Sequence, residues 1–476
     1  MDNNFGVALI RAFSQSDYKE PAEPLGIEAL AAMLHLYDFD FRLYDRETDS
    51  QDKVVTEILA FKPQVIGVSV MMEDNTPDAL RLISRLRTGL PDAVFVAGGL
   101  FVTTNFEKAR ARFPSYCKLI VGEGEVPLLR LCCELSGKKV NLPEKNILHP
   151  NQWPWLYRHN LDTYLKESAP INMRASRGCP GRCRFCATPS MPDGLNKWVA
   201  RDISDVVDEM ELLCKTYQPH AFNFVDDDFG PISRVEELTA ELKKRNMHCA
   251  LVMQLRADAV VNTPNLYSRM AELNKNGLCR VFIGLESFDG ETLRWFNKLL
   301  DPYKTIEAFH VIKNAGVIVH IGYILWHPLA TEETVRREAE ILRKNGFFTT
   351  KIVMGKLRLF PGCGIQLEHP EANYIDFPPG LENYYNAVAK KIAPIYDAWL
   401  VGALYVPGQY CRAWLEKGGD AGNIVSEIEF LLSQLDELSF SVLMDIDSVS
   451  DDNINKTAAK VKERLYELGC TFNRRR

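Results

Sequence analysis

The feature that most constrains this chain is its alternation. Short apolar runs recur along the first third at 5–10 (FGVALI), 41–45 (FRLYD), 65–70 (VIGVSV), 93–99 (AVFVAGG) and 117–125 (CKLIVGEGE). Segments with apolar residues at helical spacing lie between and after them, at 27–37, 53–61, 77–90 and 126–135. Apolar strands separated by amphipathic helices imply a parallel sheet covered on both faces. The spacing predicts an α/β, doubly wound, Rossmann-like domain over 1–140. Ligands on such a sheet sit at the carboxyl ends of its strands, where the strand order switches.

Residues 141–168 carry Pro143, Pro150 and Pro154 among polar residues and read as a linker. A second series follows, with strand-like runs at 171–176, 221–229, 249–260, 280–288, 317–326 and 350–360. Helix-patterned segments at 203–216, 232–245, 264–275, 302–313 and 332–344 separate them. Six repeats predict a partial (β/α)6 barrel over 169–365, with its working groups at the carboxyl ends of the strands. From 366 to 476 the pattern is helical, which predicts a C-terminal helical domain.

The 476 residues carry a formal net charge of -7, which argues against a general nucleic-acid binder. The start has no basic leader before an apolar stretch, and no uncharged apolar run reaches the roughly 18 residues that span a bilayer. The expectation is a soluble cytoplasmic protein with no membrane span. Nine of the 12 cysteines are scattered and read as small buried hydrophobes: Cys117, Cys132, Cys133, Cys214, Cys249, Cys279, Cys363, Cys411 and Cys470.

The other three cysteines, Cys179, Cys183 and Cys186, crowd into RGCPGRCRFC (177–186), directly after the first strand of the second series. Closed zinc sites need four ligands. A fourth here would have to come from afar, from Cys214 or His220. Thiolates also favour iron–sulfur clusters, and three cysteines on a cubane leave one iron open to a ligand. Gly178 and Gly181 let the backbone turn around a bulky group. Arg174, Arg177, Arg182 and Arg184 are expected to offset cluster charge, and Phe185 to shield it.

The loop GCPGRCRFC at this place resembles that of the radical S-adenosylmethionine (SAM) enzymes. FVDDDF, LRADAV, FIGLESFDGETLRWFNK and PGCGI are similar to later motifs of that superfamily. In the first third, EPLGIEALAAML, PQVIGVSV, FVAGG and VGEGE resemble the cobalamin-binding domain of one subfamily, the class B methyltransferases. The resemblance implies a [4Fe-4S] cluster on Cys179, Cys183 and Cys186. SAM would chelate the open iron and be cleaved reductively to a 5′-deoxyadenosyl radical. It further implies that Asp226, Asp227 or Asp228 accepts from the SAM amino group, and that Glu286 and Ser287 bond the ribose hydroxyls. Arg256 would pair with the SAM carboxylate, or else with its neighbour Asp258. Where the family often has glycine, this chain has Trp326 and His327. Either they act on a ring system and a proton, as candidate catalytic groups, or they pack and cap the loop.

Cobalamin domains of this kind often supply a lower histidine ligand from the loop after the first strand. Here that loop, RAFSQSDYKEPAEPLG (11–26), has none, and His35, the one histidine of the domain, sits inside a helix pattern. The resemblance therefore implies cobalamin bound without a histidine. Candidate contacts are Pro24, Leu25, Gly26, Ser69, Val70, Gly98, Gly99, Gly122, Glu123, Gly124 and Glu125.

The implied function is methyl transfer to an unactivated carbon of a small-molecule or natural-product substrate. An electron donor such as flavodoxin or ferredoxin would serve it. A cyclisation or rearrangement with the same cofactors is the near alternative. An iron–sulfur redox or sensor protein without SAM turnover is the distant one.

Overall fold

The structure, a computed structural model, describes residues 5–13, 23–165, 170–192, 194–219, 221–360, 362–368, 378–417 and 422–468. Cys470 and His220 lie outside them. The first sheet holds β1 (Gly6–Arg11), β2 (Asp40–Asp45), β3 (Val65–Ser69), β4 (Val94–Gly98) and β5 (Cys117–Leu119). Every pairing is parallel and the order is β2-β1-β3-β4-β5. Alternate residues of β1 enter separate cores: Ala8 and Ile10 face one, Val7 and Leu9 the other. Both faces are thus covered, as the apolar runs require. The order reverses between β1 and β3, so the crevice opens above their carboxyl ends.

In the second half come β6 (Ile171–Met173), the short antiparallel pair β7 (Ser176–Arg177) and β8 (Val199–Ala200), then β9 (Ala221–Phe224), β10 (Ala250–Leu255), β11 (Leu278–Glu286) and β12 (Ile318–Tyr323). The sheet runs β12-β11-β10-β9-β6, all parallel, with the helices Ile203–Tyr217, Ile232–Lys244, Leu266–Lys275, Pro302–Asn314 and Glu332–Lys344 outside it.

The sixth repeat differs from expectation. Residues 350–360 do not form a full strand. Thr350–Val353 is a helical turn, and pairing is left to an isolated bridge between Trp326 and Lys356. The physical reason is a competing contact. The Thr350 amide and hydroxyl both donate to Asp436 of a C-terminal helix, at 2.6 and 2.7 Å, which takes this backbone out of the sheet.

The C-terminal helices are Pro379–Lys417, Gly422–Met444 and Asp451–Glu467. The first passes from the carboxyl side of the barrel, where Tyr384 and Tyr385 meet Trp326, to the amino side, where Cys411 packs with Ala221, Ala250 and Cys279. Among the described residues no helix is long and apolar enough to cross a membrane.

A buried charge network joins the two halves. Arg158 of the connector reaches Glu23 at 2.8 Å and Glu209 at 3.3 Å, and Arg201 reaches Glu209 at 2.6 Å. Glu23 also accepts from the Asn172 amide on β6, and Glu28 from the His159 amide.

Candidate functional site

The carboxyl edge of the second sheet carries the cysteine loop. Gly178 enters it at φ +75°, and a side chain there would strike the Lys197 carbonyl oxygen at 2.3 Å. Only glycine fits that turn. The loop is then pinned from two sides. The Arg184 amide donates to the Phe296 carbonyl at 2.9 Å, and Asn297 donates to the Arg182 carbonyl at 2.8 Å. The Ile365 amide donates to the Arg184 carbonyl at 3.0 Å.

The three thiols are free and half-buried. Cys179 Sγ accepts from the Gly181 amide at 3.3 Å and from Arg256 Nη1 at 3.5 Å. Cys186 Sγ accepts from the Thr188 amide at 3.4 Å. Burial raises the Cys183 and Cys186 thiols above their ordinary range, so a bound metal is needed to hold them as thiolates. Among the described residues no three His, Cys, Asp or Glu side chains converge on a single-ion position. Three half-buried thiols, two of them accepting from backbone amides, are a donor set that suits an iron–sulfur cluster. Cys214, weighed as a fourth zinc ligand, packs instead against the barrel core.

The arginines of the loop are placed differently from expectation. Arg177 pairs with Glu123 and Glu125, and Arg174 lies 3.8 Å from Glu125. Both guanidinium groups also lie over the Trp153 ring, at 4.4 and 5.1 Å from its centre. Arg184 pairs with Glu368, while Arg182 is exposed. The cations on this side come instead from segments that follow later strands: Arg256, just after β10, next to Cys179, and Lys298, beyond β11, in the segment bonded to Arg182 and Arg184. Gly181 makes the first possible, since a side chain there would lie 2.2 Å from Arg256 Nη1. Phe185 packs edge-on against Phe296 at 5.1 Å, within an apolar cluster beneath the loop.

The three aspartates after β9 divide their duties. Asp226 is 2% exposed and accepts from the Ala175 and Ser176 amides, which ties β9 to the strand leading into the cysteine loop. Burial raises its pKa to about 6. Asp228 is buried too, and accepts from the Gly230 amide at 3.1 Å. Asp227 alone is exposed, and its Oδ2 accepts from the Thr188 hydroxyl, two residues past Cys186. Arg256 spends two nitrogens on Asp258, at 2.9 and 2.7 Å, and its third on Cys179. A cleft of about 260 Å³ opens beside it, lined by Pro180, Trp198, Asp228 and Asp258.

Glu286 ends β11 at φ +72°, a left-handed conformation rare for a side chain of this size. Its Oε1 accepts from Lys298 Nζ at 3.1 Å. Ser287 is fully buried; its hydroxyl donates to Glu338 at 2.7 Å and accepts from the Asp289 amide at 2.9 Å. That hydroxyl is engaged in the core.

Trp326 and His327 adopt the packing role. Trp326 is fully buried, donates to the Val353 carbonyl at 2.7 Å, and meets the Tyr384 and Tyr385 rings. His327 is 3% exposed and lies against the Trp295 and Phe296 rings. Burial lowers its pKa to about 4, so it is neutral at pH 7.

The carboxyl edge of the first sheet faces this loop. A side chain at Gly122 would lie 3.1 Å from Leu195, and one at Gly362 would lie 2.7 Å from the Thr104 carbonyl oxygen. Among the described residues the nearest atom to a Cβ at Gly26 is Ser69 Oγ, at 4.0 Å. Met71 and Val121 expose apolar surface after β3 and β5. Gly26, Met71 and Val121 give this edge a small apolar rim, a surface that suits a flat apolar ring.

Other candidates at this edge have structural duties. Gly99 (φ +104°) lies against the backbone of Val70, Gly124 lies against Leu30, and Gly98 sits by the Ile120 carbonyl. Glu123 and Glu125 are occupied by Arg177. Burial works against the Glu125 charge, yet Arg177 and Arg174 hold its pKa at about 2. Pro24 and Leu25 open the helix Leu25–Leu36 at the carboxyl edge. His35, in the last turn of that helix, is carried to the opposite edge, where its ring meets Tyr157 at 5.5 Å. Residues 14–22 of the loop between are outside the described residues.

Two family matches accord with this geometry. The B12 binding domain matches residues 16–131 and the Radical SAM superfamily matches residues 173–342, together more than half of the chain. The chain is a radical SAM protein with an N-terminal B12-binding domain.

A protein of Pyrococcus horikoshii named as an uncharacterized methyltransferase is 25% identical over 67% of this radical SAM protein and 73% of its own length. The hopanoid C-3 methylase of Methylococcus capsulatus is 23% identical over 68% of this chain and 64% of its own. The anaerobic magnesium-protoporphyrin IX monomethyl ester cyclase of a Synechocystis strain is 24% identical over 63% and 64%. The chain thus spans slightly under two thirds of the last two relatives.

Among solved structures, the cobalamin-dependent radical SAM enzyme OxsB, with aqua-cobalamin and SAM bound, superposes with a TM-score of 0.67 at 14% identity. The superposition covers 98% of this chain and 80% of OxsB. The methyltransferase TsrM of Kitasatospora setae, with cobalamin and a [4Fe-4S] cluster bound, gives 0.59 at 19% identity over 79% of each chain. The fold is therefore that of the cobalamin-dependent members of the superfamily.

Proposed function

We propose that this protein is a cobalamin-dependent radical SAM methyltransferase acting on an unactivated carbon of a small-molecule substrate. The observation that carries the reading is the apposition of two carboxyl edges. One bears the three half-buried thiols with an adjacent exposed carboxylate, the other an apolar rim beside Gly26. Cys179, Cys183 and Cys186 would hold a [4Fe-4S] cluster. Asp227 would accept from the SAM amino group, and Glu286 from the ribose. Gly26, Ser69, Met71 and Val121 would contact the corrin face, with no histidine beneath it. When bound, cluster and SAM supply a reductive carbon–sulfur cleavage, and cobalamin supplies a methyl carrier.

The protein's own part is to bind, orient and exclude water. Asp226 locks the strand before the cysteine loop. The apolar cluster of Phe185, Phe296, Leu357 and Cys363 seals it from below. Charge-assisted bonds from fixed carboxylates orient a cationic ligand at no reorganisation cost. Three relatives named as methylating enzymes support methyl transfer. Cyclisation is the second reading, supported by the relatives named as cyclases.

SAM carrying a labelled methyl group separates the two. Anaerobically reconstituted protein with cobalamin, reductant and candidate substrate should move label into product. Product formed without label would favour cyclisation. Absence of corrinoid from protein purified with cobalamin would remove the methyl-carrier part of the reading.

A further inference from the structure

Lys298 follows β11 by 12 residues, in a segment fastened to the cysteine loop on both sides of Cys183: Asn297 donates to the Arg182 carbonyl and the Arg184 amide donates to the Phe296 carbonyl. Its side chain is only 18% exposed, and Nζ donates to Glu286 Oε1 at 3.1 Å. Gly284, two residues before Glu286, leaves room for this pair: a side chain there would meet Glu286 Oε1 at 2.1 Å and Lys298 Nζ at 2.9 Å. Glu286 itself is held at φ +72° at the bulge between β11 and β12. The backbone detour, the missing side chain and the buried lysine converge on one ion pair beside Cys183. Burial disfavours the lysine charge, and the Glu286 carboxylate 3.1 Å away offsets that cost.

We infer that Lys298 is a positioning residue with two linked duties: it orients the Glu286 carboxylate, and it sets the reduction potential of the cluster ligated by Cys183. The inference rests on the cluster reading above. A fixed cation close to a cluster ligand favours the state with one more electron, because attraction in a partly desolvated site is screened weakly. The step concerned is a one-electron reduction of the cluster by a low-potential donor. No bond forms or breaks in it, and Lys298 keeps its protons. Glu286 opposes the effect in part, so the two side chains act with opposite sign on the same quantity.

An EPR-monitored redox titration of the reconstituted full-length protein, with iron and sulfide counted per chain, reads the effect directly. Lys298→Met should move the cluster midpoint to more negative potential at unchanged iron content. Lys298→Arg should restore the wild-type value. Glu286→Gln leaves the cation uncompensated and should move the midpoint to more positive potential. Iron-replete Lys298→Met with an unshifted midpoint, or shifts of the same sign in Lys298→Met and Glu286→Gln, would overturn the inference. If Lys298→Met does not load iron, Glu286→Gln decides alone: a positive shift supports the inference and no shift overturns it. Failure of wild-type protein to load a cluster would count against the cluster reading instead, and is read in the same assay.

Discussion

Asp226 and Asp227 are adjacent in sequence and opposite in duty. Asp226 stitches two buried amides, so Asp226→Ala leaves both without an acceptor and should cost about 2–3 kcal/mol, read as a lowered denaturant midpoint. Asp227 is exposed beside the thiols. Asp227→Ala should leave stability within about 0.5 kcal/mol and weaken SAM binding by roughly 10-fold or more by calorimetry. The aspartate run was legible as a site, but not its division of labour, because that depends on which carboxylate finds amides across a strand junction. Ser287 teaches the same lesson. Its motif suggested a ribose contact, whereas Glu338, from a distant helix, holds the hydroxyl. Ser287→Ala should therefore lower stability by about 1–2 kcal/mol with SAM affinity unchanged.

At the scale of elements, the strands and helices of both halves were legible because hydrophobic period and β/α alternation are local signals. The sixth strand was not, since the Thr350 amide and hydroxyl are captured by Asp436 from a helix that closes on it later in the chain. Trp326 follows from the same closure. The C-terminal helix brings Tyr384 and Tyr385 over its ring, and Val353 takes its N–H. Trp326→Phe should cost about 1–2 kcal/mol in thermal or chemical unfolding while SAM cleavage per folded chain is kept.

The two halves are joined through buried charge, and the joint has a pH signature. Burial and the neighbouring Glu23 raise the Glu28 pKa to about 8. The folded chain therefore keeps a proton that the unfolded chain has lost. The contribution is full below the ordinary carboxyl pKa and is lost as pH rises towards 8, by up to about 1.4 kcal/mol per unit. Glu28→Gln should flatten the fall of melting temperature between pH 5 and 8. Sequence distinguished a B12-binding half from a radical SAM half, but not that Arg174 and Arg177 would pair with Glu125 across the joint.

In the proposed function, three cysteines and an open iron position seat SAM for reductive cleavage. Anaerobically reconstituted protein, given reductant and SAM, is assayed for 5′-deoxyadenosine by chromatography. Wild type should give 5′-deoxyadenosine, and the Cys179→Ala, Cys183→Ala and Cys186→Ala variants none. An intact cluster in the wild type with no 5′-deoxyadenosine would contradict it.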